Sequence, residues 1–311
     1  MDEFTWTLRA TSAEPGVSRV SARRHQFAVG APVDFDVEGP HITAVEYLLG
    51  ALAGEVVQTC TDRPVKVTLP GPYLLTRAMF VPEATRAVYG TKEELAEDVV
   101  RLLREELHEL AREGVDFVQL DEPVLSELVF AQGRTRTFMC AALAARSDPA
   151  EELEFAVSLI NRVVAGVMGV RLGVHVCRGN WSRDEATLLQ GAYHPLVPYL
   201  ERLEVDQLVL EYATERAGGV VAFRGKELGL GVVNPRTVDV ESPAEIVAAI
   251  RRALAIYPPD RLFLNPDCGF GTFAGRPVNT SAVALAKLRA IADAARELRT
   301  AVSRQPHPPG D

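Results

Sequence analysis

Cysteine is scarce in this chain: Cys60, Cys140, Cys177 and Cys268 are scattered over 311 residues. Such thin usage argues against a disulfide framework and leaves reduced thiols or a metal site. Long apolar runs are missing too. None approaches the roughly 18–20 residues that a bilayer span requires, so no membrane partner is expected. The opening residues, MDEFTWTLRATSAEPG, have neither a basic start nor an apolar core. No secretory signal is read there, and a cytoplasmic location is expected. Basic clusters are also absent, and the formal net charge is −9, which argues against a nucleic-acid partner. Gly229-x-Gly231 precedes no helix start, so it is no dinucleotide fingerprint.

What is present, from about residue 64 onward, is an alternation of strand-like and helical segments. The strands are read at 64–71, 115–125, 171–179, 205–213, 227–235 and 261–269. Helical periodicity is read at 91–114, 148–166, 242–257 and 278–302, with a short helix near 182–190. Val/Leu-rich strands alternating with helices mark a parallel sheet with both faces covered. Polar residues gather where strands finish: Asp121, Glu122, His175, Cys177, Glu211, Asn234, Asp267 and Cys268. In a (β/α)₈ barrel those ends converge on one mouth. The expected fold is therefore α/β, a TIM-type barrel, incomplete in that only six of its strands can be counted. Three regions are expected: a small α+β segment over 1–60, the barrel over 61–303, and a disordered tail over 304–311. In the first, residues 4–13 and 17–30 alternate like two antiparallel strands, and 42–60 reads as a helix.

The chemistry lies in His175, Cys177, Glu211 and Cys268. A strand alternates its side chains, so His175 and Cys177 point the same way. One imidazole, two thiolates and one carboxylate suit tetrahedral zinc. Two thiolates and a carboxylate mute the Lewis acidity of such an ion, which then activates hydroxide poorly. It suits a thiol substrate instead, since coordination lowers the thiol pKa from about 8.5. Alkyl transfer to sulfur is the reaction expected, against the alternative of a closed structural zinc. Structural sites usually pair ligands in local loops, whereas these are spread over three strands. Asp121 and Glu122 could bind a substrate ammonium group, or serve as buried carboxylates that cap a helix or pair with arginine. Asn234 and Arg236 are candidates for substrate contact from their position at a strand end. The Pro70-Gly71-Pro72 turn could line the site or simply end a strand. Cys140 reads as a packed apolar residue.

The stretches TDRPVKVTLPGP, DFVQLDEPVL, HVCRGN, LVLEYATERAG, LGLGVVNPRT and LNPDCGFGTF together resemble the catalytic barrel of cobalamin-independent methionine synthases. They run in the family order over roughly residues 61–280. The resemblance places the family's zinc ligands on His175, Cys177, Glu211 and Cys268, and its amine-holding aspartate on Asp121. It implies methyl transfer from a methyl-folate to the thiol of homocysteine, giving methionine, with small molecules as the only partners. Departures are visible. The family's opening strand with its GSYPRP-like loop, the following acidic motif and the duplicated N-terminal half are absent. Asn234-Pro235-Arg236-Thr237 stands where the long enzymes carry a histidine in a D-x-H-S segment. Short relatives that alkylate other thiols, including those joining a thiol cofactor to an epoxide, define the alternative activity; a non-catalytic zinc- or thiol-binding remnant is another. Residues 38–54 resemble the central helix of OsmC-type peroxidases, with Glu55 in the place of the reactive cysteine.

Overall fold

A computed structural model describes residues 63–86, 88–130, 148–180, 182–273 and 276–303, together with the backbone of 8–14, 17–22 and 25–30. The expected helix at 42–60, the OsmC-like stretch, Cys60, Cys140 and the tail 304–311 lie outside the described residues. The N-terminal strands number three rather than two. β1 (Leu8–Glu14), β2 (Val17–Ala22) and β3 (His25–Gly30) form an antiparallel sheet in that order, so the second alternating run supplies two strands.

The expected six strands all form: β4 (Lys66–Pro70), β5 (Phe117–Asp121), β6 (Arg171–Val176), β7 (Gln207–Leu210), β8 (Glu227–Val233) and β9 (Leu262–Pro266). Every pair is parallel, and spatial order follows chain order from β4 to β9. A doubly wound sheet reverses direction at a switch point; this one never does, as in a barrel. Among the described residues β4 and β9 are not paired with each other, so the sheet is an open arc.

The helices bury one stripe each. α1 (Pro72–Met79) and α3 (Val124–Phe130) follow strand ends directly. α2 (Lys92–Arg112) starts where Thr91 accepts from the Glu94 N–H and buries Leu95, Val99, Leu103, Leu107 and Leu110, a helical spacing. α4 (Pro149–Val164) is capped by Asp148, with proline in its first turn. α5 (Pro243–Leu254) opens on a capping box between Ser242 and Glu245, and α6 (Ser281–Ser303) closes the described chain. The segment near 182–190 is only a single 3₁₀ turn, Glu185–Thr187. No helix of the described residues is long and apolar enough to cross a membrane.

The strands are not apolar on both faces, as their Val/Leu content suggests. Val118, Leu120, Leu172, Val174, Val176, Leu208, Leu210, Leu228 and Leu230 belong to the main hydrophobic core. The alternate positions are mostly polar, aromatic or glycine, including Lys66, Thr68, Phe117, Gln119, Asp121, Arg171, Gly173, His175, Gln207, Glu227, Gly229, Gly231 and Asn265, with Val209 a buried exception. On β4 the alternate residues Lys66, Thr68 and Pro70 are exposed. One face is therefore spent on packing, and the other carries the polar groups.

Gly231 shows how tightly that second face closes around the strand ends. A Cβ there would lie 2.2 Å from Asp267 Oδ1 and 2.9 Å from the Leu210 carbonyl. Gly231→Ala is expected to cost about 1–3 kcal/mol through overpacking, read as a lower urea midpoint at unchanged m-value.

Candidate metal centre

His175 is the penultimate residue of β6 and Cys177 follows the strand directly, while Cys268 sits just past β9. Their ligand atoms all lie within 4.8 Å of one another and are buried. Cys268 Sγ is 3.5 Å from His175 Nε2 and 3.5 Å from Glu211 Oε1. Three of the four expected ligands thus form a mutual group, and Glu211, next after β7, reaches it through Cys268. The His175 tautomer is directed by the Val209 carbonyl, 2.9 Å from Nδ1, which leaves Nε2 for an ion. Two sulfurs, one imidazole nitrogen and an adjacent carboxylate, from three strand ends, fit a zinc-type donor set.

Tyr193 is inserted where the strands carrying His175 and Glu211 run out of ladder. Its hydroxyl donates to the Val176 carbonyl (2.6 Å) and accepts from the Glu211 N–H (3.1 Å). Asp267 does similar work across the sheet: Oδ1 accepts from the Tyr212 and Ala213 N–H groups, each at 2.9 Å. It therefore ties the Cys268 segment to the residues after Glu211.

Glu211 is fully buried and surrounded by arginine. Oε2 accepts from the Arg178 backbone N–H (2.8 Å), and Oε1 accepts from Arg216 Nη2 (3.2 Å) and Arg236 Nη1 (3.4 Å). Arg178 Nη1 lies 3.7 Å away, with its guanidinium stacked 3.8 Å from the Tyr193 ring centroid. Arg178, Arg216, Glu185 and Tyr193 were not singled out from the sequence, although Arg178 and Arg216 stand inside HVCRGN and LVLEYATERAG. The only signal for them was an arginine close behind a candidate ligand.

The remaining candidates divide. Asp121 is the register partner of His175 and accepts from Gln119 Nε2 (2.6 Å). Burial pushes its carboxyl up, against the pull of His175. Glu122 is committed to a cap: its two oxygens accept from the Tyr73 (2.8 Å) and Leu74 (3.0 Å) N–H groups at the start of α1. Burial pushes its carboxyl up to about 8, against those two bonds. The Pro70-Gly71-Pro72 turn is the start of that helix, with Gly71 as N-cap. Asn234 donates to Glu185 Oε1 (2.8 Å). Arg236 has a fully buried side chain, held by Glu185, Asn180 and Glu211. Its guanidinium is thus committed to protein carboxylates and offers no exposed seat for an anionic substrate.

Protonation is set by contact. A bond with Cys268 holds the Cys177 thiol well below its usual range against burial, with His175 assisting. That same bond and burial push Cys268 up. Burial opposes charge on His175, but the bond and field of Cys177, with Asp121, raise it to about 9. Contact thus favours the charged forms of Cys177 and His175 in the metal-free centre, while Cys268 stays a thiol near pH 7. An entering ion must displace the His175 and Cys268 protons, about two in all. Calorimetry in buffers of different ionisation enthalpy should show that release near pH 7, with affinity climbing as pH rises toward 9.

Known proteins resemble this chain in family and in fold. Residues 36–297 match the family model described as cobalamin-independent synthase, catalytic domain. A methionine synthase of Thermococcus kodakarensis is 32% identical over 217 residues, covering 69% of this chain and 53% of the relative. One from Pyrococcus abyssi is 30% identical over the same length and coverage. The chain spans about half the length of these relatives. A solved B12-independent methionine synthase from Shewanella sp. W3-18-1, in complex with selenomethionine, superposes with a TM-score of 0.66 at 21% identity. That match covers 90% of this chain and 73% of the other, and it shows a shared fold.

Proposed function

Because the chain belongs to the cobalamin-independent synthase catalytic-domain family, we propose that it is a zinc-dependent S-methyltransferase that moves a methyl group from 5-methyltetrahydrofolate polyglutamate to homocysteine, forming methionine. The observation that carries this reading is the buried His175, Cys177 and Cys268 group within 4.8 Å, with Glu211 Oε1 3.5 Å from Cys268 Sγ. When bound there, zinc supplies the acidity that keeps a substrate thiol ionised at neutral pH. His175, Cys177, Cys268 and Glu211 would hold it. The selenomethionine in the Shewanella complex is an amino acid of the product's shape, and homocysteine shares its backbone groups.

Asp121 is the residue for the substrate ammonium. It lies beside His175 in register, and burial strengthens any pairing with a cation. Glu122, as the cap of α1, steadies the strand-to-helix turn next to it. Asn234 and Arg236 order the loop after β8. Opening an epoxide with an anionic thiol cofactor would need a cationic seat for its tail, and the commitment of the Arg236 side chain to Glu185 and Glu211 denies it one there. The reading carries with it a cytoplasmic location and small-molecule partners only.

Methionine formation from methyl-folate and homocysteine, dependent on added zinc, is the direct assay; thiol binding without turnover across several alkyl donors would instead favour a non-catalytic remnant. Cys268→Ser should bring bound zinc well below one per chain and abolish thiol alkylation with the far-UV spectrum unchanged; full occupancy by elemental analysis would take Cys268 out of the donor set. Asp121→Asn should raise KM for homocysteine far more than for a thiol lacking the amine. Equal losses for both thiols would count against ammonium binding.

A further inference from the structure

Glu185 is neither a strand-end residue nor part of any donor set, and it touches both arginines that converge on Glu211 Oε1. It opens the 3₁₀ turn Glu185–Thr187, which Asp184 caps by accepting from the Ala186 N–H (3.0 Å). Glu185 Oε1 accepts from Arg236 Nε (2.8 Å) and Asn234 Nδ2 (2.8 Å). Glu185 Oε2 lies 2.6 Å from Arg216 Nε. Arg236 therefore spans two carboxylates, with Nε donating to Glu185 and one Nη to Glu211 at 3.4 Å, while Arg216 gives one Nη to Glu211 at 3.2 Å and packs its Nε against Glu185 without a hydrogen bond. The side chains of Arg216 and Arg236 are buried, while that of Glu185 is 35% exposed.

We infer that Glu185 is a positioning residue that keeps Glu211 available to a metal ion, an inference that rests on Glu211 belonging to the donor set. A guanidinium presents its donors in a rigid fork, and its strongest pairing with a carboxylate uses two of them in parallel. Glu185 accepts at the Nε edge of Arg236 and crowds that of Arg216 as an ion-pair neighbour, and each arginine gives Glu211 a single, longer bond. Without Glu185, both guanidiniums are free to turn their full edge onto Glu211 and take the lone pairs an ion needs. Charge acts in the same direction. Arg178, Arg216 and Arg236 are balanced by Glu185, Glu211 and Asp267, the last 3.7 Å from Arg236 Nη2. Neutralising Glu185 leaves one uncompensated positive charge beside the place of a dication. Both effects weaken metal binding without removing a ligand.

The test is Glu185→Gln in the full chain, stripped of metal and reloaded with Co²⁺, with zinc affinity measured by chelator competition. Loss of an outer partner of a metal ligand typically weakens affinity by about 10–100-fold, and that loss is expected here with altered Co²⁺ visible bands and an unchanged far-UV spectrum. Glu154→Gln, which breaks the exposed pair with Arg202, should leave affinity and bands alone; this separates the effect from general loss of an ion pair. Glu185→Asp keeps the charge but is one methylene short of bridging both guanidiniums, so it should also lose affinity, and it serves if the glutamine variant fails to fold. Wild-type affinity and bands in Glu185→Gln, or wild-type affinity in Glu185→Asp, would overturn the positioning role while the metal centre stands. A wild-type chain that takes up neither Co²⁺ nor zinc would sink the metal reading itself, and this inference with it.

Discussion

Side-chain alternation along six parallel strands is the constraint from which the rest follows. Because successive residues of a strand face opposite ways, the face that packs Val118, Val174, Leu208 and Leu228 against helices leaves Gln119, Gly173, Gln207 and Gly229 on the other. Continuing that second face to the strand ends brings in Asp121, His175 and Glu211 without any irregular backbone. The parallel pairing then sets them side by side, with Asp121 opposite His175. A one-residue slip in β6 would send His175 into the apolar layer and Val174 toward the polar one. Core packing and site geometry are thus one specification.

Burying charge around that site is costly unless each ion is paired, and removing one member of a buried pair typically costs about 3–5 kcal/mol. Arg178, Arg216 and Arg236 meet the requirement jointly with Glu185, Glu211 and Asp267. Sharing is incomplete. Arg236 Nη2 and Asp267 Oδ2 lack a hydrogen bond despite their proximity. The lattice extends outward through the Glu241 carboxylate, which accepts from the Asn234 N–H (2.7 Å) and from the buried Lys287 ammonium (2.7 Å) on α6. The last helix of the barrel therefore steadies the loop that carries Arg236.

The framework was largely legible in the sequence. All six barrel strands and the helices α2, α4, α5 and α6 stand where apolar runs and helical spacing put them. Short helices were not legible: α1 and α3 have eight and seven residues, too short for a periodic signal, and each begins within a residue or two of a proline that reads as a turn. The clustering of three candidate ligands, His175, Cys177 and Cys268, was legible because thiols and imidazoles are rare and lie at strand ends. What escaped was the arginine–carboxylate lattice. Its bonds join residues 51 apart, as between Arg236 and Glu185, or 25 apart, as between Arg236 and Glu211, and no local pattern encodes such distances. Arg236 illustrates the limit: position at a strand end suggested substrate contact, and only the fold shows its charge already spent.

A phenol stands where β6 and β7 would otherwise close on each other. A backbone amide and carbonyl in direct partnership sit about 2.9 Å apart; with the Tyr193 oxygen between them, the Val176 carbonyl and the Glu211 amide bridge through two bonds of 2.6 and 3.1 Å. The aromatic side chain thus works as a spacer between the carbonyl that follows His175 and the amide of Glu211.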